Sequence, residues 1–231
     1  MSFSLFDHYN FRARISVGII LLSPVLLMLY LQVEMIRKLS TTAIVLVCLF
    51  SLANLMIVLS RFYGKKVHSK RKKAEEYLYP SDSHFDMLTK KRFYKTLAAK
   101  NFSLNVLVEK QDCPDEEFYE ACKSAVHWLR VNTRDSKLVT EENINYGFYR
   151  NMLGVKPFGI GISVFLLTVH LLQFWIGFCG NVGNVTPEYL ISLVIALLYL
   201  ALWLFLVNRK IVDFAAENYA EALINSIDTL K

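Results

Sequence analysis

The residues best suited to bind a ligand lie in one stretch of the chain, between positions 130 and 151. A planar guanidinium group matches the oxygens of a phosphate, and an aromatic ring stacks on a nucleobase. This combination of residue types is suited to binding a phosphate or a nucleotide. The competing interpretation is a buried polar network that fixes a soluble domain to neighbouring helices. The candidate ligand-binding residues are Arg130, Arg134, Asn143, Tyr146, Arg150 and Asn151.

A second set of polar residues interrupts stretches of the chain that are otherwise apolar. Asn54 lies in one such stretch, and His170 and Gln173 lie in another. Because His170 and Gln173 are three positions apart, they share one face of a helix. Polar side chains are costly to bury in lipid unless they find partners or water. These three residues therefore indicate either the lining of a pore or hydrogen bonds between packed helices, and the second use is the commoner one.

Signatures of catalysis are missing from the sequence. There is no Gly-x-Ser-x-Gly, no His-Glu-x-x-His, and no glycine-rich phosphate loop followed by Lys-Ser or Lys-Thr. The four cysteines do not have the spacing of a zinc site. The sequence thus predicts a protein that is not an enzyme and that needs no cofactor or metal.

Four apolar runs, each free of Lys, Arg, Asp and Glu, dominate the chain. A helix that crosses a bilayer needs about 20 mostly apolar residues. The sequence therefore predicts an all-α integral membrane protein with four transmembrane helices, arranged two and two around a helical cytoplasmic domain, and with a C-terminal cytoplasmic helix. The four runs are Ser16–Gln32, Thr41–Leu59, Phe158–Cys179 and Tyr189–Val207.

The positions of the basic residues predict the orientation of these helices. Lys and Arg are enriched in cytoplasmic loops, whereas the connection between the third and fourth runs contains neither. Both termini and the middle domain are therefore expected on the cytoplasmic side of the plasma (inner) membrane. A basic run beside the membrane also attracts anionic lipid, which accounts for much of the net charge of +6. This run follows the second apolar stretch and comprises Lys65, Lys66, Lys70, Arg71, Lys72 and Lys73.

The same pattern divides the chain into four parts: residues 1–60 with two spans, 61–156 as the cytoplasmic helical domain, 157–207 with two more spans, and 208–231 as the amphipathic C-terminal helix. Within the domain, Ser81 or Asp82 is expected to cap a helix over Ser83–Lys100. A further helix is expected to begin at Pro114 and to run to about Val131. Another, Ile144–Leu153, is expected to end at Gly154, with a hinge before the third span.

The C-terminal segment carries an apolar stripe opposite a charged face. Such a stripe needs a partner, either the cytoplasmic domain of the same chain or the same helix of another copy. Intramolecular packing is the simpler interpretation, and a seam between copies is the alternative. The stripe consists of Ile211, Phe214, Ala215, Tyr219, Ala222, Leu223, Ile227 and Leu230.

The stretch Glu142–Pro157, together with the tail Phe214–Ala220 and the two-plus-two arrangement of spans, resembles small bacterial membrane proteins of anti-phage systems. The closest resemblance is to the channel effectors of the Hailong type, which act beside a nucleotidyltransferase. This resemblance implies an oligomeric channel that a nucleotide or oligonucleotide gates from the cytoplasmic side. Its opening would depolarise the infected cell.

Two functions from different classes remain open at this point. The first is a ligand-gated pore formed by a homo-oligomer, with a tetramer favoured. The second is a membrane anchor or adaptor that does not conduct ions and that recruits a cytoplasmic partner or lipid through its helical domain. Oligomeric state distinguishes the two, because one chain with four spans cannot enclose a water path by itself.

Overall fold

The computed structural model describes residues 8–33, 55, 58–59, 61–67, 72–179 and 186–230. Every regular element in these ranges is helical, which confirms the all-α class. The α-helices are α1 (His8–Gln32, with a π-turn at Phe11–Ile15), α2 (Met87–Lys100), α3 (Val106–Glu109), α4 (Glu116–Asn132), α5 (Lys137–Cys179), α6 (Pro187–Leu206, with a π-turn at Leu202–Leu206) and α7 (Arg209–Asn225). Short 3-10 helices occupy Ala74–Leu78, Phe102–Leu104 and Ser226–Thr229.

Three of these helices, α1, α5 and α6, are long and apolar enough to cross a membrane. They contain the first, third and fourth apolar runs of the sequence. The second run, Thr41–Leu59, lies outside the described residues except at positions 55, 58 and 59. In the described part of the chain, three of the four predicted spans are thus found as helices of sufficient length and apolar composition.

The prediction of a helix end at Gly154 followed by a hinge is wrong. Helix α5 continues without a break from Lys137 to Cys179 and carries Pro157 in its interior. Glycine serves close packing here: a Cβ atom at Gly154 would lie 2.6 Å from the amide nitrogen of Gly64 and 2.8 Å from the carbonyl carbon of Tyr63. The missing side chain thus admits the backbone of another helical stretch, residues 61–66.

The chain divides into two compact units, each of which is described by itself. The apolar unit comprises Met1–His68 with Gly147–Val212, and the charged unit comprises Ser69–Tyr146 with Asp213–Lys231. Two of the three borders fall inside helices, one in α5 and one in α7.

Bulky aromatic side chains of the apolar unit fit against glycines of α5. Trp203 of the π-turn is fully buried in a core with Val17 and Val155. A Cβ atom at Gly159 would lie 2.1 Å from the Cε2 atom of Trp203. At Gly147 the added atom would lie 2.6 Å from the hydroxyl oxygen of Tyr9. Each of these glycines makes room for one ring.

The charged unit is built on helices α2 and α4, which aspartate side chains cap. Asp86 accepts a hydrogen bond from the amide of Thr89 at 2.9 Å, and Asp115 accepts one from the amide of Phe118 at 3.0 Å. The prediction of Ser81 or Asp82 as the first cap is wrong, because α2 begins at Met87. Asp82 instead closes a turn by accepting a hydrogen bond from the amide of His84 at 2.9 Å. The expected end of α4 is confirmed to within one residue.

Residues from the C-terminal stripe complete the core of the charged unit. Leu223 and Ile227 are buried there, and Tyr219 and Leu230 pack against the same core. Phe214, by contrast, is 62% exposed. Intramolecular packing is therefore confirmed for the part of the stripe from Tyr219 to Ile227.

Buried Lys90 ties the loop before α2 to the core of the charged unit. Its Nζ atom donates hydrogen bonds to the carbonyl oxygens of Tyr79, at 2.7 Å, and of Asp82. Burial disfavours the charged form of a side chain. It therefore lowers the pKa of Lys90 from its ordinary value. For the same reason it raises the pKa of the buried Cys122 thiol to about 12. The lysine therefore serves as a cross-link between loop and helix, and Cys122 as a core residue.

We expect Gly154→Ala to destabilise the apolar unit by about 1–3 kcal/mol, the usual cost of forcing extra volume into a packed contact. Gly161→Ala on the same helix is the matched control, because a Cβ atom there would meet no atom within 4 Å. Thermal unfolding of the purified chain in detergent measures both. Equal melting temperatures for the two variants would contradict the close crossing at Gly154.

Asp82 should make the charged unit sensitive to acid. Burial raises the pKa of Asp82, but hydrogen bonds from Lys72 and from the amide of His84 outweigh it, so the pKa lies below its ordinary value of 3.8. A carboxylate with a lowered pKa stabilises the fold above its unfolded pKa, and this stabilisation is lost as the pH falls through the folded pKa. Asp82→Asn should therefore lower the urea midpoint at neutral pH and have no effect once both states are protonated. A deficit that persists at acid pH would contradict this assignment.

Candidate functional site

His170 lies at the centre of a hydrogen-bonded group inside the apolar unit. Its Nδ1 atom lies 2.7 Å from the carbonyl oxygen of Leu166, and its Nε2 atom lies 2.7 Å from the hydroxyl oxygen of Ser192. A carbonyl oxygen can only accept, so Nδ1 carries the proton of the neutral ring and Nε2 is an acceptor. The backbone of α5 thereby fixes the tautomer that faces α6.

Gln32, the last residue of α1, joins this group from a third helix. Its Nε2 atom donates to the hydroxyl oxygen of Ser192 at 2.8 Å and lies 3.3 Å from Nε2 of His170. Its Oε1 atom accepts a hydrogen bond from Nε2 of Gln173 at 2.8 Å. Tyr189 completes the set, because its hydroxyl donates to the carbonyl oxygen of His170 at 2.9 Å. These five residues, Gln32, His170, Gln173, Tyr189 and Ser192, are called the polar cluster below.

One side of the polar cluster is closed and the other is open. His170 is 0% exposed and Ser192 is 2% exposed, whereas Gln173 is exposed. The side chains that flank Gln173 on the surface of α5 are large and apolar: Leu171, Leu172, Phe174, Trp175 and Ile176. The cluster thus presents one amide at the edge of an apolar surface.

In the part of the chain that the structure describes, the hydrogen bonds of the polar cluster involve no acidic or basic side chain other than His170 and Tyr189. Its hydrogen bonds join two glutamines, a histidine, a serine and a tyrosine to one another and to backbone carbonyls. No carboxylate or cationic side chain among the described residues takes part in these bonds. Polar groups of this kind join packed helices in an apolar medium.

The distance between Ser192 and His170 fits a nucleophile and its general base. Both side chains are closed to a substrate, however, because they are buried against α1 and α5. The Ser192 hydroxyl also lies 2.9 Å from the carbonyl oxygen of Tyr189, to which it can donate. The two side chains are therefore suited to forming a hydrogen bond between α5 and α6.

Of the predicted pore-lining residues, His170 and Gln173 meet through Gln32, and Asn54 lies outside the described residues. Sequence reasoning missed Gln32, Tyr189 and Ser192. Their positions along the apolar runs were the available signal. Gln32 is the last residue of the first run. Tyr189 and Ser192 lie near the start of the fourth run, close in sequence to the end of the third run.

The predicted ligand-binding residues are divided between the two units. Arg130, Arg134, Asn143 and Tyr146 belong to the charged unit, and Arg150 and Asn151 belong to the apolar unit. Both Arg130 and Arg134 are exposed. The ring of Tyr146 is stacked on that of Tyr219, with centroids 6.2 Å apart and an interplanar angle of 7°.

Asn151 is placed where it joins segments of the apolar unit. It is 2% exposed, and its Nδ2 atom donates to the carbonyl oxygen of Ala13 at 2.7 Å. A Cβ atom at Gly64 would lie 2.2 Å from its Oδ1 atom. Asn151 therefore connects α5 both to α1 and to the helical stretch 61–66.

The basic run is only partly described, since Lys70 and Arg71 lie outside the described residues. Lys65, Lys66 and Lys73 are exposed, and the Nζ atom of Lys66 lies 4.4 Å from the centroid of the Phe62 ring. Lys72 forms an ion pair with Asp82. These lysines therefore differ in how much of their charge remains open to a membrane surface.

No family model, curated protein or solved structure matches this chain. Its function is therefore inferred from the geometry of its own residues.

Proposed function

We propose that this chain is an integral membrane protein and a subunit of an oligomeric channel, with its conducting path beside Gln173. The observation that carries this proposal is the exposed amide of Gln173 on the apolar surface of α5. Its Nε2 atom is bonded to Gln32, but its Oε1 atom accepts no hydrogen bond from the described residues. In a single copy this oxygen would face hydrocarbon, where an unpaired polar group costs several kcal/mol.

Assembly of several copies removes this cost. If the Gln173 edges of symmetric copies face a common axis, each amide meets water and the flanking apolar side chains pack between copies or face lipid. Closed rotational symmetry is the usual arrangement of homo-oligomers, and we propose four copies. The protein resides in the plasma membrane with both termini in the cytoplasm, which the exposed Lys65 and Lys66 beside a spanning segment support.

The proposed gating ligand is a nucleotide or oligonucleotide made by a partner nucleotidyltransferase, and opening depolarises the membrane of an infected cell. Arg130 and Arg134 support this part of the proposal, because both are exposed on the charged unit and guanidinium groups match phosphate oxygens. A ligand shifts such a gate only by binding the open and closed states unequally.

An adaptor is the competing function, and one observation favours it. Leu88 is 82% exposed and Phe102 is 87% exposed on the charged unit, where apolar side chains of a partner protein could cover them. This function predicts a purified protein that binds a cytoplasmic partner and carries no current, alone or with ligand.

Gln173→Cys tests the conducting path. We expect a charged, water-soluble thiol reagent to block the current of this variant in a planar bilayer, because the new thiol would line the path. Leu197→Cys on α6 is the control: this residue is apolar and 50% exposed, as are its exposed neighbours Val194 and Leu198. The parent protein, with its own four cysteines, must be insensitive. Equal block of both variants, or of neither, would contradict the proposed path.

Replacing Arg130 and Arg134 together by Glu should weaken binding of a short oligoadenylate at least about tenfold, the equivalent of 1.4 kcal/mol. Two lost guanidinium–phosphate contacts are the physical reason. The matched control is Lys95→Glu with Lys100→Glu, which changes the charge of the same unit equally at exposed positions of α2. Calorimetric titration of both double variants measures the difference. The assignment is wrong if the two lose affinity alike.

A further inference from the structure

Lys72 differs from the other described lysines of the basic run, because its charge is already engaged. Its Nζ atom donates a hydrogen bond to Oδ2 of Asp82. Lys65, Lys66 and Lys73 are exposed and form no ion pair with the described residues. One lysine near the end of the run is therefore held by a carboxylate of the charged unit.

The two halves of this ion pair are not equally accessible. The side chain of Lys72 is 53% exposed, whereas that of Asp82 is 4% exposed. A lysine ammonium group in water, on a flexible stem, can exchange one anionic partner for another. An anion from outside the protein can therefore approach the lysine, while the carboxylate is shielded from a second cation.

Asp82 is the central residue of the loop before α2, residues 79–85. Its Oδ1 atom accepts a hydrogen bond from the amide of His84 at 2.9 Å, and its own amide donates to the carbonyl oxygen of Tyr79 at 3.1 Å. Its carbonyl oxygen accepts from buried Lys90. A shielded carboxylate that loses a cationic partner favours any arrangement that lets water reach it. The pair with Lys72 therefore helps to keep this loop closed.

The chain keeps Lys72 near the membrane surface in the proposed orientation. It follows Lys66 by six positions, and six residues of chain reach at most about 22 Å. A negatively charged membrane surface attracts each nearby lysine, which corresponds to about a fivefold gain in affinity. An anionic bilayer thus offers a second partner for the same ammonium group.

We propose that anionic phospholipid and Asp82 compete for Lys72, so that the charge of the lipid determines whether the loop before α2 is closed. On a neutral bilayer the lysine pairs with Asp82 and the loop is closed. On an anionic bilayer the lysine binds a lipid phosphate and the loop loosens. This inference rests on the membrane location in the proposed function, and not on conduction. Coupling between two equilibria is reciprocal, so lipid must weaken the loop by the factor by which Asp82 weakens lipid binding.

Amide hydrogen exchange tests the first half of this coupling. Full-length protein is placed in nanodiscs of phosphatidylcholine alone, or of equal parts of phosphatidylcholine and phosphatidylglycerol. We expect the amide of His84 to exchange several-fold faster in the anionic discs, because its acceptor Asp82 is released. The amide of Thr89 is the internal reference, since it is bonded to Asp86, and its rate should stay the same.

Two variants decide whether Lys72 carries the response. Lys72→Gln should exchange at the faster rate in both kinds of disc. Lys73→Gln is the matched control at the exposed neighbouring position and should keep the parental difference. A difference retained in Lys72→Gln overturns the proposal. An unchanged rate at His84 in the parent also overturns it, and is the result expected if one ammonium group binds both anions at once.

Lipid binding tests the second half of the coupling. Energy transfer from the three tryptophans to dansyl-labelled phosphatidylglycerol, in phosphatidylcholine discs, measures the affinity for anionic lipid. Asp82→Asn should raise this affinity by up to about fivefold, the contribution of one released lysine. Asp86→Asn removes the same charge from the cap of α2 and should lack this effect. Equal affinities of the two variants overturn the proposal.

Failure of this inference and failure of the channel function are distinguishable. A protein that carries no current, yet whose His84 amide responds to anionic lipid through Lys72, contradicts the channel and supports the competition. A conducting protein whose His84 amide does not respond supports the channel and overturns the competition.

Discussion

The carboxamide of Gln32 makes the hydrogen bonds on which the arrangement of helices α1, α5 and α6 most depends. One planar group uses its oxygen for Gln173 of α5 and its nitrogen for Ser192 of α6, while its own backbone ends α1. Because carboxamide oxygen and nitrogen are not interchangeable, this bridge has a direction, and His170 completes it from the buried side. Loss of any member leaves polar atoms in an apolar surrounding, so the cluster holds the three helices as a set.

Helix α5 gathers the other constraints of the apolar unit. Gly147, Gly154 and Gly159 face a tyrosine, a helical backbone and an indole, respectively, while Asn151 bonds the backbone of α1. The glycines and Asn151 thus lie along one helix. Together they let neighbouring segments of the apolar unit approach α5 more closely than larger side chains would allow. The charged unit is organised differently, by an apolar core, aspartate caps and the buried ammonium group of Lys90.

The sequence predicted whatever depends on composition and helical period: the all-α class, three long apolar helices of the four expected, the end of α4, and the packing of the later part of the C-terminal stripe. It did not predict features that depend on which segment lies opposite. A glycine such as Gly154 is typical of a helix end. In this structure it lies within helix α5, where it allows the backbone of Gly64 to approach closely. Asp82 and Asp86 are both suited to capping, and the choice follows from Lys72, which pairs with the first. The role of Gln32 depends on the neighbours of α1, which no local pattern specifies.

In the membrane protein proposed above, the pairing between α5 and α6 has a consequence for how the chain enters a bilayer. A histidine and a glutamine make α5 a less favourable segment to insert alone, because their polar atoms would meet lipid before a partner arrives. Ser192 and Tyr189 follow closely in the chain and supply hydrogen bonds to His170. Under that proposal, the two helices are best suited to leave the translocation machinery together as a hairpin, and the timing of synthesis becomes part of how the protein folds.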